Sequence, residues 1–181
     1  MNAEIISVGT ELLLGAVVNT DAAIVARALS ELGIDLLHTC VVGDNPARLK
    51  EAVETAIRRS DLLVMTGGLG PTTDDLTKET TAAAAGKQLT LHQPSLERIQ
   101  NYFNEKHVSE NQAKQAWLPE GCHVLQNDNG TAPGCAFQAE NGCTIIMLPG
   151  PPSELAPMLH NYAVPYLKQS QEFTIVSHNV H

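Results

Sequence analysis

The stretch running from Asp61 through Leu-Leu-Val-Met and Thr-Gly-Gly-Leu-Gly to Pro-Thr-Thr-Asp-Asp75 constrains the fold more than any other. Its apolar run reads as a short buried strand, Leu62 to Thr66. The glycines behind it let the chain turn sharply and pass close to a neighbour or a ligand. A helix is predicted over 75–85, stopped by Gly86. A buried strand feeding through a tight turn into a helix is the building unit of a parallel sheet covered by helices. The unit recurs upstream. Glu4–Val8 reads as a first strand, followed by the turn Gly9-Thr-Glu11. Thr20 is the expected cap of a helix over 21–32 whose apolar face carries Ile24, Val25, Ala28, Leu29 and Leu32, ending at Gly33. Ile34–Val42 reads as a second strand. Asn45 caps and Pro46 opens a helix with Leu49, Val53, Ala56 and Ile57 facing inward. This alternation predicts an α/β fold with a doubly wound, mostly parallel sheet.

The pattern changes after Gly86. Gln93-Pro94 starts a helix carrying Leu96, Ile99, Tyr102 and Phe103, and Ser109-x-x-Gln112 is a capping-box pattern for a short helix toward Trp117. Strand-like pieces follow at His123–Gln126, Cys135–Ala139 and Cys143–Leu148, separated by Asn-Gly turns, and Cys135 to Leu148 is expected to form a small β-hairpin. A helix is expected from about Ser153. The tail, Glu172 to Val180, reads as one more strand and as the start of another domain or a linker.

Composition narrows the function. The chain has 181 residues, 43% of them hydrophobic but only 4% aromatic, so the core must be aliphatic. Net charge is −9 and Lys plus Arg total 11 with no basic run, which argues against direct nucleic-acid binding. No apolar run is long enough to span a membrane. Cys40, Cys122, Cys135 and Cys143 form no C-x-x-C pair and read as buried, reduced thiols. With no signal-peptide pattern at the start, a cytoplasmic location is expected.

Five segments carry candidate chemistry. In the glycine turn, Gly67, Gly68 and Gly70 can aim backbone N–H groups at a phosphate, and the helix behind adds positive partial charge. Asp74 and Asp75 close that turn. Two carboxylates beside a phosphate imply a divalent cation between them, although one of the pair could simply cap the helix. Asp44 follows the second strand, where open α/β sheets place ligands, and Asn45 already explains the helix start. Glu11 is either a solvated loop carboxylate or a ligand to a metal or a ribose hydroxyl. In Leu148-Pro-Gly150-Pro-Pro-Ser153-Glu154, Ser153 or the helix N–H groups could hold an anion. Asn127–Gly134 is a turn in which Thr131 is the candidate contact. Lys78 and Lys114 could meet a phosphate, but the plainer reading of each is a solvated surface lysine.

The ordered segments VGTELLLG, VGDN, TGGLGPTTDD, NQAKQAWLP, NGTAPG and LPGPPSEL resemble the amino-terminal domain of the CinA (competence/damage-inducible) family, within the molybdopterin-binding, MoaB/Mog-like fold. The resemblance spans Glu4 to Leu167. It implies a three-layer α/β/α domain over 1–170, with 171–181 entering the next domain or a linker and a C-terminal deamidase domain absent from these residues. In the wider family the matching positions, Gly67, Gly68, Gly70, Asp44 and Asp74 or Asp75, line a pocket for a phosphorylated pterin. In CinA proteins the domain is associated with metal-dependent ADP-ribose pyrophosphatase activity. Leu69 departs from the GGTG of Mog-like proteins, and Pro152 from their LPGNP.

The expected activity is therefore hydrolysis of ADP-ribose, or a related nucleoside diphosphate sugar, to AMP and a sugar phosphate. Asp44, Asp74 and Asp75 are the expected ligands of Mg²⁺ or Co²⁺, with Glu11 as general base. Substrate contacts are expected from Thr10, Gly67, Gly68, Gly70, Lys78, Lys114, Thr131, Gly150 and Ser153. The alternatives are a molybdopterin-binding adenylyltransferase and a non-catalytic nucleotide-sensing module. The resemblance also implies a homo-oligomer.

Overall fold

Every residue of the third strand is buried, and its side chains alternate between two cores. The computed structural model describes residues 1–178, with side chains through residue 171. Eight strands and eight α-helices are formed among the described residues. β1 (Asn2–Val8), β2 (Asp35–Val42), β3 (Leu62–Thr66) and β8 (Thr144–Leu148) pair in parallel; β7 (Gly134–Gln138) and β6 (His123–Leu125) add antiparallel. The order is β2-β1-β3-β8-β7-β6. β7 and β8 form the expected hairpin, with Cys135 opposite Met147.

Helices cover both faces, which is why the central strands read as unbroken apolar runs. On one face Ile6, Leu63, Met65 and Ile145 pack beneath Leu49 and Val53 of α3 (Pro46–Arg59). On the other, Ile5, Val64 and Ile146 meet Val25 and Leu29 of α2 (Thr20–Glu31) and Leu155 of α7 (Pro152–Met158). Residues 5 and 6, or 63 and 64, diverge because successive strand side chains point to opposite faces. The result is the three-layer arrangement the resemblance implied.

Several local expectations are corrected. Asn19, not Thr20, caps α2: its side-chain oxygen accepts from Ala22 N–H at 3.3 Å while its amide donates to Ser7 Oγ at 3.0 Å. The chain after Gly9 forms a short helix, α1 (Thr10–Leu13), rather than a simple turn. α4 begins at Thr77, not Asp75, because residues 71–75 form a turn of their own. Between α4 and β6 lie α5 (Gln93–Phe103), α6 (Glu110–Lys114) and a two-stranded antiparallel sheet of β4 (Leu89–Leu91) and β5 (Trp117–Pro119). That sheet is too short to give a period-2 signal. A π-helical turn at Leu159–Ala163 joins α7 to α8 (Val164–His178). The expected tail strand is replaced as far as His178 by α8. A helix already formed gains a hydrogen bond with each residue added, and that outweighs the strand preference of Thr174, Ile175 and Val176. The remainder of that expectation, Asn179 and Val180, lies outside the described residues.

Candidate functional site

The chain leaves β1 toward β2 on one side and returns as β3 on the other. Their C-terminal ends therefore bound a crevice at a topological switch point. A cleft of about 670 Å³ opens there. Its floor is the glycine turn after β3, and its walls come from the segments that follow β1, β2 and β8.

The turn needs its glycines. Gly67 and Gly68 have φ of +86° and +74°, where a side chain is strained. A Cβ on Gly67 would also strike the Val8 carbonyl oxygen, and one on Gly68 would overlap Thr77 Oγ1. Gly67 N–H donates to the Leu148 carbonyl at 3.0 Å, and Gly150 packs against the Gly67 Cα. The Pro149-Gly150 turn is thereby fixed against the glycine turn, and both line the cleft.

The acidic side chains are individually anchored. Thr10 N–H donates to Asp44 Oδ2 at 3.3 Å, and Asp44 N–H donates to Thr10 Oγ1 at 3.0 Å. These reciprocal bonds tie the loop after β1 to the loop after β2. Asp75 Oδ2 accepts from Thr72 N–H at 3.0 Å and from its hydroxyl at 2.6 Å, which closes the 72–75 turn. Neither Asp74 nor Asp75 caps α4; its N-cap is Leu76, with no side-chain cap. Lys114 Nζ donates to the carbonyls of Thr72 (2.9 Å) and Asp75 (2.5 Å) and clamps the same turn from outside.

Gly67, Gly68, Gly70, Gly150, Thr131, Glu11, Asp44, Asp74 and Asp75 all line the cleft. Thr10 touches it only through Asp44, and Ser153 is exposed outside it. The reading of Lys78 and Lys114 as solvated lysines is corrected. Lys78 is buried, donates to the Lys114 carbonyl at 2.9 Å, and is pushed down to about 8, chiefly by burial. Neither ammonium faces the cleft; both hold its outer loop.

Sequence reasoning missed three residues. Asp21, in the first turn of α2, lines the cleft and is 9% exposed, and its Oδ1 has no protein partner. Burial pushes its carboxyl up to about 6. An acid in a first helical turn is ordinary, so only burial distinguishes it. Gln115 lines the cleft with a buried Oε1 that likewise lacks a protein partner. Such atoms are what a ligand or water satisfies. Glu154 also lines it, and its Oε1 accepts from Asn127 Nδ2 at 2.7 Å.

The lining thus holds six carboxylates, Glu11, Asp21, Asp44, Asp74, Asp75 and Glu154, and no Lys, Arg or His. Yet among the described residues no three His, Cys, Asp or Glu side chains group closely enough to hold a metal ion. The expected trio of Asp44, Asp74 and Asp75 is therefore not a ready-made metal centre, because Asp44 is turned to Thr10 and Asp75 to Thr72. The oxygen-only donors do fit a hard cation of the Mg²⁺ kind, which commonly takes one or two carboxylates and completes its shell with substrate phosphates and water.

Residues 4–169 match the family model described as "Probable molybdopterin binding domain". The CinA-like protein of Desulfovibrio desulfuricans is 53% identical over 177 residues, 98% of this chain and 42% of its own length. A "Putative competence-damage inducible protein" of Clostridium acetobutylicum is 53% identical over 179 residues, 98% of this chain and 43% of that protein. In a solved structure, CinA of Thermoplasma acidophilum, "with unknown function", is 36% identical with a TM-score of 0.83, covering 88% of this chain and 94% of that one. The chain belongs to the CinA family. As a CinA domain it spans less than half the length of these curated relatives. The fold is wider than CinA. The "tungsten cofactor synthesizing protein MoaB" of Pyrococcus furiosus superposes with a TM-score of 0.60 at 18% identity, covering 98% of this chain and 95% of that one. That is a likeness of fold. Leu69, where Mog-like proteins carry Thr, is buried in the α3-side core of this CinA domain and offers the cleft no hydroxyl. Among the described residues no helix is long and apolar enough to cross a membrane.

Proposed function

We propose that this domain is the nucleotide-binding unit of a CinA-type protein. It takes ADP-ribose, or a related nucleoside diphosphate sugar, into the cleft and splits the diphosphate to AMP and a sugar phosphate. The observation that carries the reading is the glycine turn of Gly67, Gly68 and Gly70, locked against Gly150 at the sheet's switch point and ringed by carboxylates. The Gly67 N–H is taken by the Leu148 carbonyl, so the backbone N–H groups of Gly68 and Gly70 are the ones to meet phosphate oxygens, as no basic side chain in the lining does.

A diphosphate and six carboxylates repel unless a cation lies between them. A divalent cation, held by Asp44 or Asp74 together with the phosphates, would offset that charge. Asp21, whose carboxyl burial pushes up to about 6, would be the base that takes a proton from water. Glu11 and Thr131 orient the ligand from the rim. The exposed apolar residues Leu13, Leu14, Val17, Val18 and Leu37 support a homo-oligomer, and four free cysteines support a reducing, cytoplasmic setting. The test is product analysis by mass spectrometry with ADP-ribose plus Mg²⁺, Co²⁺ or EDTA. AMP and ribose phosphate should form only with the cation, and Asp21→Asn should slow turnover about 10²–10⁴-fold. Intact ADP-ribose that is nonetheless bound leaves the domain a sensing module.

The acidic lining favours one second reading, a phosphorylated pterin whose ring N–H and amino groups donate to carboxylates, in keeping with the family description. Supplying ATP with molybdopterin, against ADP-ribose alone, separates the two by which is consumed.

A further inference from the structure

A second cavity, of about 720 Å³, adjoins the cleft and shares Thr131 with it. One wall is a single face of α5, where Ser95, Arg98, Ile99 and Tyr102 recur at i, i+3, i+4 and i+7. The other is β6 and the loop after it. The chemistry is opposite to that of the cleft. Arg98, His92 and His123 line the cavity, and Asp128 is its one carboxylate.

Arg98 is held loosely. Its guanidinium donates to Gln126 Oε1 and to the Asn127 carbonyl, each at 3.4 Å, and lies 4.0 Å from Asp128 Oδ1. Contacts this long are weak, so the fork can turn to an anion at little cost. Asp128 Oδ2 is already taken by the Tyr162 hydroxyl at 2.8 Å. His92 Nδ1 is turned to Ser95, 3.3 Å from its N–H and 2.7 Å from its hydroxyl, which leaves Nε2 as the ring nitrogen available to an anion. Tyr102 is 65% exposed and braced edge-on by Phe103 at 5.1 Å. A large ring left in water one helical turn from a weakly held guanidinium is a stacking platform beside a phosphate hook.

We propose that this cavity binds a nucleoside monophosphate, its phosphate on Arg98 and His92 and its base against Tyr102. The site shares only Thr131 with the cleft and does not rest on the function assigned there. The test is to titrate the ¹⁵N-labelled chain with AMP, and separately with inorganic phosphate, by NMR. AMP should shift amides over 92–102 and 123–131. Arg98→Ala should weaken that binding at least tenfold. Tyr102→Ser should weaken AMP binding and spare phosphate binding. Both substitutions replace exposed side chains, and the same spectra report whether the fold persists. AMP shifts confined to 66–75 and 149–154, no shifts at all, or equal affinity in Arg98→Ala would overturn the site. Phosphate binding as tightly as AMP would overturn its assignment to a mononucleotide.

Discussion

Asp21, the base of the proposed reaction, works against stability. Its carboxyl stands near 6 in the fold against an ordinary 3.8. Because the folded value is raised, the native state holds the proton more tightly than the unfolded chain. Its contribution is therefore least harmful below pH 4 and becomes a growing cost as pH rises to about 6. Two pK units correspond to about 3 kcal/mol, an upper bound because the group borders the open cleft. Asp21→Asn should thus melt higher than the parent protein at pH 8, with the difference shrinking toward pH 4. A difference independent of pH, or a lower melting point at pH 8, would show that Asp21 bears no such cost. Gly68 is constrained differently. Gly68→Ala combines a strained φ with overlap on Thr77 Oγ1 and should cost about 1–3 kcal/mol. Adding Thr77→Ala should restore the part due to overlap and leave the part due to φ, as urea unfolding of the single and double variants will show. The glycines were legible in the sequence because their spacing announces a turn. Asp21 was not, because nothing local marks which first-turn acid is buried.

At the scale of elements, the outer loop of the cleft depends on a relay from α4 through α6. Lys78 holds the Lys114 carbonyl, and Lys114 holds the carbonyls of Thr72 and Asp75. Lys114→Met should free the 71–75 turn, raising hydrogen exchange there and weakening ligand binding roughly tenfold, with the melting point lowered only slightly. Unchanged exchange over 71–75 would remove the clamp from consideration. The central sheet has its own polar tie. Glu4 of β1 is buried and accepts from Arg59 Nε at 2.5 Å and Ser60 Oγ at 2.6 Å. Burial raises its carboxyl, but the hydrogen bonds from Arg59 and Ser60 outweigh burial and hold it below its ordinary value. A lowered value means stability present above the unfolded pKa of about 4.5 and lost as pH falls through the folded value. Arg59→Ala should therefore destabilise at pH 7, less than breaking a fully buried pair would because Arg59 is half exposed, and by less in acid. Denaturant midpoints at pH 7 and pH 4 check this. The parallel strands and α2–α3 were legible because long periodic runs and caps state them twice. β4 and β5, three residues each, lie below the length at which periodicity speaks, and α8 overrode a local strand preference.

For the molecule as a whole, charge is divided between neighbouring cavities. A chain of net charge −9 places six carboxylates around its glycine cleft and an arginine with two histidines around the cavity beside it. The proposed binding of a diphosphate in this cleft would therefore need cations, and removing them with EDTA should abolish ADP-ribose binding. The fold class, and ligand-facing segments at the strand ends, could be anticipated from the alternation of strands and helices, whereas the acidity of the lining arises from segments 11, 21, 44, 74–75 and 154, which only the folded chain brings together. The most direct measurement is calorimetric titration of ADP-ribose, with Mg²⁺, into the protein and into Gly68→Ala. If the glycine turn holds the diphosphate, the parent binds and Gly68→Ala binds at least tenfold more weakly. Equal affinity in the two, or no binding to either, would contradict the central claim.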